Sequence, residues 1–161
     1  MKFIRSNKSG KTGPILIFHI NKREKQWLLN TLKMYPILDA SYHQFSKGKE
    51  SVNQAEQKLL EEEMAAQRKD HKKKLDQFLD GEQRFLLESP DTFRFTITPE
   101  QSEWLLQVLN EVRVGSWVRL GRPEMEAARK LVLKKDKAIY FAAMEMSGYF
   151  QMALLEAFKG G

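Results

Sequence analysis

The chain has 161 residues, 42% hydrophobic and 30% charged, a balance typical of a globular protein with a real core. It contains no cysteine, which excludes disulfides, thiolate zinc sites and cysteine nucleophiles. No apolar run approaches the roughly 18–20 residues of a membrane helix, and the N-terminal residues lack a signal-peptide pattern. We therefore predict a single domain over residues 1–161, in the cytoplasm and without a membrane partner.

The net charge of +6 is concentrated at the start of the sequence. Residues 1–25 hold seven basic side chains and one acidic side chain, so they account for the whole excess. Such a segment can meet nucleic acid or an acidic protein surface; the alternative is a charged strand edge that prevents aggregation. The candidate basic surface comprises Lys2, Arg5, Lys8, Lys11, Lys22, Arg23 and Lys25, with Arg68 and Lys72 added from the middle of the chain.

A β-hairpin is the first predicted element, with strands at Lys2–Ser6 and Pro14–Ile20. The intervening SGKTG run lacks the leading glycine of a phosphate loop and is interpreted as the hairpin turn. In the second strand, alternation gives His19 the opposite face from Phe18, and we interpret this histidine as a core or edge residue. Asn21 then predicts a capped helix, with Glu24 completing a capping box, that runs to about Tyr35.

A long charged helix is predicted over about residues 50–80, because neither proline nor glycine interrupts this helix-forming stretch. Its narrow apolar stripe includes His71 and Leu75, and its role is either a solvated arm or half of a dimer interface. The FLLES sequence that follows is a short apolar segment before the next strand.

The strand-helix unit at residues 14–35 resembles residues 91–112, at an offset of 77 positions. The second copy has a strand (TFRFTI), an N-cap at Thr98 and a helix reaching about Leu120. Because strand, cap and helix match in one register, we predict that a single strand-helix unit is used twice and that both strands join one sheet. The equivalent Trp27 and Trp104 are predicted to be core anchors.

The last helix, about residues 138–158, is apolar nearly all round, which predicts the buried centre of a bundle. Gly148 within it is predicted to be in close contact with another helix or with Trp117. The fold class that follows is α+β and mostly helical. Three or so strands, from the N-terminal hairpin and a later strand, would form a small antiparallel sheet on five or six helices.

No catalytic, cofactor-binding or metal-ligating residue is predicted, since His19, His43 and His71 stand far apart and the sequence has no nucleotide-binding or hydrolase motif. The candidate anion or partner site lies in the helix of the second strand-helix copy and comprises Asn110, Arg113, Trp117 and Arg119. Two arginines beside an apolar stripe can bind a carboxylate or another anion. The alternative is that these arginines pair with Glu111, Glu103 or Asp91 to fix the helix.

The segment LNEVRVGSWVRLG, Leu109–Gly121, resembles the LND-R-L-…-TRLG motif of an uncharacterised bacterial family, domain of unknown function 2017. The layout of the rest of the chain is similar: a basic strand pair, a strand-helix opening, a charged middle and a terminal helix that begins with an aromatic pair. The sequence departs from the motif at Glu111, where the family has Asp, at Trp117, where it has a smaller residue, and at Gln151, which keeps only part of the last motif.

The resemblance implies that Asn110, Arg113, Arg119 and Gly121 are the motif positions. Family members are often encoded near a Clp protease adaptor, which implies a link to protein turnover. Three functions are thus predicted, in this order: a non-enzymatic protein-interaction module, possibly a homodimer and an accessory factor in Clp-type proteolysis; a nucleic-acid-associated protein using the basic surface; and a binder of a small anionic ligand at Arg113 and Arg119.

Overall fold

A computed structural model describes residues 1–7, 14–38, 54–81, 84–124, 126–127, 130 and 135–159. The strands are β1 (Lys2–Asn7), β2 (Ile15–Asn21), β3 (Phe85–Ser89) and β4 (Thr92–Ile97). The helices within these ranges are α1 (Lys22–Lys33), α2 (Gln54–Leu79), α3 (Pro99–Arg119) and α4 (Lys135–Lys159). The predicted turn SGKTG lies outside the described residues, as do Lys8, Lys11 and His43.

The fold is α+β, with one small antiparallel sheet, as predicted. The sheet has four strands in the order β1-β2-β4-β3, because the FLLES segment is a strand that sequence reasoning did not assign. The described ranges hold four long helices, against the five or six predicted.

The two copies of the strand-helix unit lie side by side, since β2 and β4 pair antiparallel at the centre of the sheet. Leu16 lies opposite Ile97, Phe18 opposite Phe95 and Ile20 opposite Phe93. A two-fold axis between Phe18 and Phe95 therefore exchanges the strands with the same equivalences as the offset of 77. The helices that follow begin at Lys22 and Pro99, which keep this offset.

The outer strands extend this local symmetry. Phe3 of β1 pairs with Phe18, and Phe85 of β3 pairs with Phe95. The two ring pairs lie in contact, with centroids 5.5 Å and 4.8 Å apart. The repeated unit is thus a strand-strand-helix unit, larger than the sequence predicted.

Both helices begin at the predicted caps. Asn21 and Thr98 accept hydrogen bonds from the backbone N–H groups of Glu24 and Gln101, and the side chains of Glu24 and Gln101 accept from the cap backbone in return. Each box satisfies two N–H groups that would otherwise lack a partner at the helix start. These caps fix where strand turns into helix in both units.

Replacing the second cap, Thr98→Ala, is expected to lower the free energy of unfolding by about 1 kcal/mol, because an N–H at the start of α3 loses its acceptor. Urea denaturation measures the change. Gln107→Ala is the matched control, since Gln107 is exposed on the same helix and alanine is at least as good a helix former. Equal losses in the two variants would contradict the capping role.

The core lies between one face of the sheet and the helices. The centre of the core is a cluster of buried residues from β2, β4 and the four helices, among them the fully buried Phe18, Phe95, Leu105 and Phe150. The outer strands β1 and β3 pack against this cluster through partly buried residues. Trp104 packs against this cluster, with its ring edge on Phe78 at 5.5 Å. The prediction for Trp27 was wrong, because its side chain is 41% exposed.

The position of α4 also differs from the prediction. Phe150 and Leu154 are fully buried on its inner side, but its outer side is open to solvent at Met152 and Leu155. The helix therefore lies at the edge of the fold and not at its centre. Within the ranges that the structure describes, no helix has the length and apolar character required to span a membrane.

Candidate functional site

The four residues of the predicted anion site are all exposed on α3, yet they do not share one site. Arg113 and Arg119 are six residues apart, which turns them about 120° from each other around the helix. Arg113 lies beside Gly148 of α4, with its Nε 4.0 Å from where a Cβ would stand. Arg119 instead donates to the carbonyl of Ile37 at 3.2 Å. The structure does not bring the two guanidinium groups together.

The other two members have different neighbours again. Trp117 lies on the Arg113 side and donates from its indole N–H to the carbonyl of Pro123 at 3.0 Å. Asn110 borders a cavity of about 120 Å³ that also touches Arg68 and Glu111. Glu111 was the predicted alternative partner of Arg113, but its carboxylate contacts Arg68 of α2, at 3.3 Å.

A buried polar cluster surrounds this ion pair. Arg68 is only 9% exposed, and Tyr35 and His71 beside it are also buried, with their rings 6.4 Å apart. Burial and the Glu111 carboxylate raise the pKa of the Tyr35 phenol above its usual value, while Arg68 opposes this shift. The cluster joins α2 and α3 to the residues that follow α1, so Arg68 acts as a structural residue and is removed from the predicted basic surface.

The described members of that basic surface are dispersed. Lys2 and Arg5 lie on β1, whereas Lys22 and Arg23 border a depression of about 690 Å³ at the start of α1, next to Asp91. The ammonium of Lys25 lies over the ring of Phe93 at 4.2 Å. Further along the chain, Lys72 pairs with Asp76 and Lys74 with Asp70, at 3.1 Å and 2.7 Å.

His19 lies on the face of the sheet that points away from the core. Its Nε2 is 2.8 Å from one carboxylate oxygen of Glu88. The other oxygen of that carboxylate lies 3.6 Å from Nε of Arg94. The histidine side chain is 44% exposed. It is therefore a surface member of an ion cluster spanning β2, β3 and β4, and not a core residue.

A second cluster ties β1 to α1 and α4. The N-terminal ammonium of Met1 and the hydroxyl of Tyr149 both contact the Glu24 carboxylate, which also accepts from the Asn21 backbone N–H. Burial favours the neutral acid, but these donors outweigh it and lower the pKa of Glu24 below 4.5. Burial and the Glu24 carboxylate raise the pKa of Tyr149 to about 12.

The variant Glu24→Gln is expected to lower the free energy of unfolding at neutral pH, on the order of 1 kcal/mol after solvent screening. The folded-state pKa of Glu24 lies below its unfolded value of 4.5. Its stabilisation is therefore complete above about pH 5 and is lost as the pH falls through the folded-state pKa. Urea denaturation across this range should show the two proteins converging in acid. A difference that stays constant would contradict this role of Glu24.

The most unusual surface belongs to α4 and the adjoining side of α3. Met152 is 68% exposed, Leu155 48% and Phe158 44%. Each lies three residues after the one before and is turned about 60° from it, so the three form a continuous band about 120° wide around α4. On α3, Trp117 and Val114 are also exposed. The two helices are antiparallel neighbours, as Arg113 lies beside Gly148 and Gln151 donates to the Leu106 carbonyl at 3.4 Å. We refer to the exposed side of Met152, Leu155 and Phe158 as the α4 outer face.

An apolar groove lies on the other flank of α4. It has a volume of about 410 Å³ between α1 and α4, and its lining includes Trp27, Met34, Ile139 and Met146. Trp27 is thus exposed where it borders this groove. Together, the groove and the α4 outer face leave two sides of α4 only partly covered.

The sequence signal for this surface is the apolar character of the last helix on all sides, which predicts burial within one chain. A helix that is apolar all round requires apolar neighbours on every side, and the periodicity does not say whether these neighbours belong to the same chain. Gly148 agrees with this: among the described residues, a Cβ at this position would meet only Arg113, at 4.0 Å.

Comparisons with known proteins find no family model that matches the chain, and no significant match among curated proteins or solved structures. In the part of the chain given above, no three side chains suited to metal binding cluster together. The α4 outer face is the candidate functional site on the strength of its exposed apolar side chains.

Proposed function

We propose that the protein is a non-enzymatic protein-interaction module whose binding surface is the α4 outer face. The observation that carries this proposal is the exposure of Met152, Leu155 and Phe158 on a helix whose opposite side lies in the core. Scattered exposed apolar residues are ordinary, but neighbouring large ones on one helix face are typical of interaction sites.

The chemistry of the face supports binding to protein. Methionine is flexible and polarisable, so it adapts to a partner's contours. Trp117 and Arg113, the residue types enriched in binding hot spots, lie on the adjoining side of α3. The charged residues Glu145, Glu156 and Lys159 are exposed beside these apolar residues, which gives the apolar face a polar border.

A photo-crosslinking amino acid placed at position 152 tests the proposal in cells that make the protein. The expected result is a discrete crosslinked product that contains a protein partner. The same probe at Lys73, which is exposed on α2, is the matched control and should yield no such product. Equal crosslinking at both positions, or none at position 152, would overturn the proposal.

The link to Clp-type proteolysis rests on the sequence resemblance at Leu109–Gly121 and is proposed on that basis. The identity of the crosslinked partner tests it: a protease adaptor or subunit supports the link, and an unrelated partner removes it. Two of the motif residues, Arg113 and Arg119, contact different neighbours: Gly148 and the carbonyl of Ile37. This arrangement supports a helix that packs on both sides, and it gives less support to a single anion site.

The nucleic-acid alternative receives less support. A contiguous basic face would favour it, but Arg68 is buried against Glu111, and Lys72 pairs with Asp76. Binding to nucleic acid through phosphates would weaken steeply with added salt. A titration with single-stranded and double-stranded DNA at two salt concentrations therefore tests this alternative directly.

A further inference from the structure

We infer that the partner on the α4 outer face is a second copy of this chain, packed antiparallel about a two-fold axis beside Met152. The inference rests on the proposed function, because it uses the same face. What decides between partners is the arrangement of charge along α4 and α3, since a two-fold interface must be complementary to itself.

Two exposed charges on α4 lie at equal distances from its most exposed apolar residue. A third, Glu156, is exposed four residues after Met152 and stands level with Gly148 of an antiparallel copy centred on Met152. Glu145 lies seven residues before Met152 and Lys159 seven residues after it, and all three are exposed. Seven residues are close to two helical turns, so the three side chains lie on nearly the same side of α4.

This symmetry selects one orientation of a second copy. In an antiparallel pair centred on Met152, Glu145 of each copy stands level with Lys159 of the other, which gives two attractive pairs. A parallel pair would place each Glu145 against its own equivalent and each Lys159 likewise. Like charges facing each other across an interface are unfavourable, so the antiparallel arrangement is selected.

The adjoining helix is consistent with the same axis. The contacts of Arg113 with Gly148 and of Gln151 with Leu106 place the level of Met152 between Leu105 and Leu109 on α3. Glu103 and Arg113 are exposed on either side of that level. The level midway between them, at Val108, falls within this range, so the same axis places Arg113 of one copy near the level of Glu103 of the other.

Gly148 allows the close approach that such a pair requires. A glycine within a helix is less favourable than alanine, and among the described residues a Cβ at this one would meet only Arg113. Those residues therefore gain little packing from the missing side chain. A helix of a second copy can approach the backbone here, so that the two α3–α4 hairpins form a four-helix arrangement.

Sedimentation equilibrium of the full chain across a range of concentrations tests the inference. The unaltered protein is expected to be a dimer. Glu145→Lys or Lys159→Glu alone should weaken association by about tenfold or more, because each creates two like-charge pairs. The double variant, E145K with K159E, restores opposite charges and should recover the original affinity within about threefold. Lys73→Glu on α2 is the control and should have no effect.

Several results would overturn the inference. A monomer at every concentration rules out the second copy, and a dimer that neither single variant weakens rules out this interface. Weakening without recovery in the double variant rules out the antiparallel register. If the protein is a monomer but position 152 crosslinks to a different protein, only this inference fails. If it is a monomer and position 152 crosslinks to nothing, the proposed function fails as well.

Discussion

Phe95→Ala is expected to lower the free energy of unfolding by about 4 kcal/mol, the largest single effect that the fold predicts. Phe95 is fully buried, and its ring contacts those of Phe18, Phe78 and Phe85, at centroid distances of 6.0, 6.0 and 4.8 Å. These rings come from a neighbouring strand on each side and from α2. Removing Phe95 therefore opens a cavity where both repeated units and the long helix meet.

Thermal and urea unfolding both measure this effect, and the midpoint temperature should fall by roughly 10 °C. Leu87→Ala is a suitable control in the same sheet, since Leu87 is 64% exposed and its truncation should cost about 0.5 kcal/mol or less. A loss below about 1.5 kcal/mol for Phe95→Ala would show that the centre of the sheet is not the centre of the core.

Glu111→Leu is expected to lower the free energy of unfolding by about 2–3 kcal/mol. The change removes the carboxylate that faces Arg68, whose side chain is 10% exposed, while that of Glu111 is 32% exposed. Removing one partner of a buried ion pair costs about 3–5 kcal/mol, and the partial exposure of Glu111 reduces this figure.

The double variant Arg68→Met with Glu111→Leu should be more stable than Glu111→Leu alone, because it removes the buried charge as well. Urea denaturation of both single variants and the double variant yields the coupling energy. The control is Asp76→Ala, which breaks the shorter but exposed pair with Lys72, at 3.1 Å, and should cost about 0.5 kcal/mol or less. Equal costs for the two pairs would mean that burial does not set their strength.

Local signals in the sequence predicted the local structure well. The caps at Asn21 and Thr98 were readable because polar cap residues and the glutamate or glutamine three positions later recur in a fixed pattern. The strand at TFRFTI was readable from its alternation. The pairing of the two strand-helix units followed from their shared register, and the sheet places them side by side.

The different lengths of the two hairpin loops explain why the sequence does not reveal the larger repeat. Seven residues join β1 to β2, whereas two residues join β3 to β4. Phe3 and Phe85, the equivalent residues of the outer strands, are therefore 82 positions apart and not 77. A comparison at one fixed offset cannot align two units whose internal loops differ in length, so the sequence pattern does not predict β3.

Tertiary contacts explain the other differences. The identity of a residue does not reveal which side of its helix meets the core, so Arg68 was predicted at the surface and Trp27 in the interior. In both cases the side chain lies on a different side of its helix from the one predicted. For α4, composition predicted burial on all sides, but it could not show that the described elements cover the inner side and leave Met152 and Leu155 exposed.

The rate at which hydrogen peroxide oxidises the sulfur of Met152 tests the central claim most directly. Met152 is 68% exposed in the isolated chain, whereas Met144 on the same helix is 6% exposed. In cells that make the protein, we expect a bound partner to slow oxidation of Met152 towards the rate for Met144, and unfolding to make the two rates equal. If Met152 in the cell oxidises as fast as in the unfolded chain, nothing covers the α4 outer face and the account is contradicted.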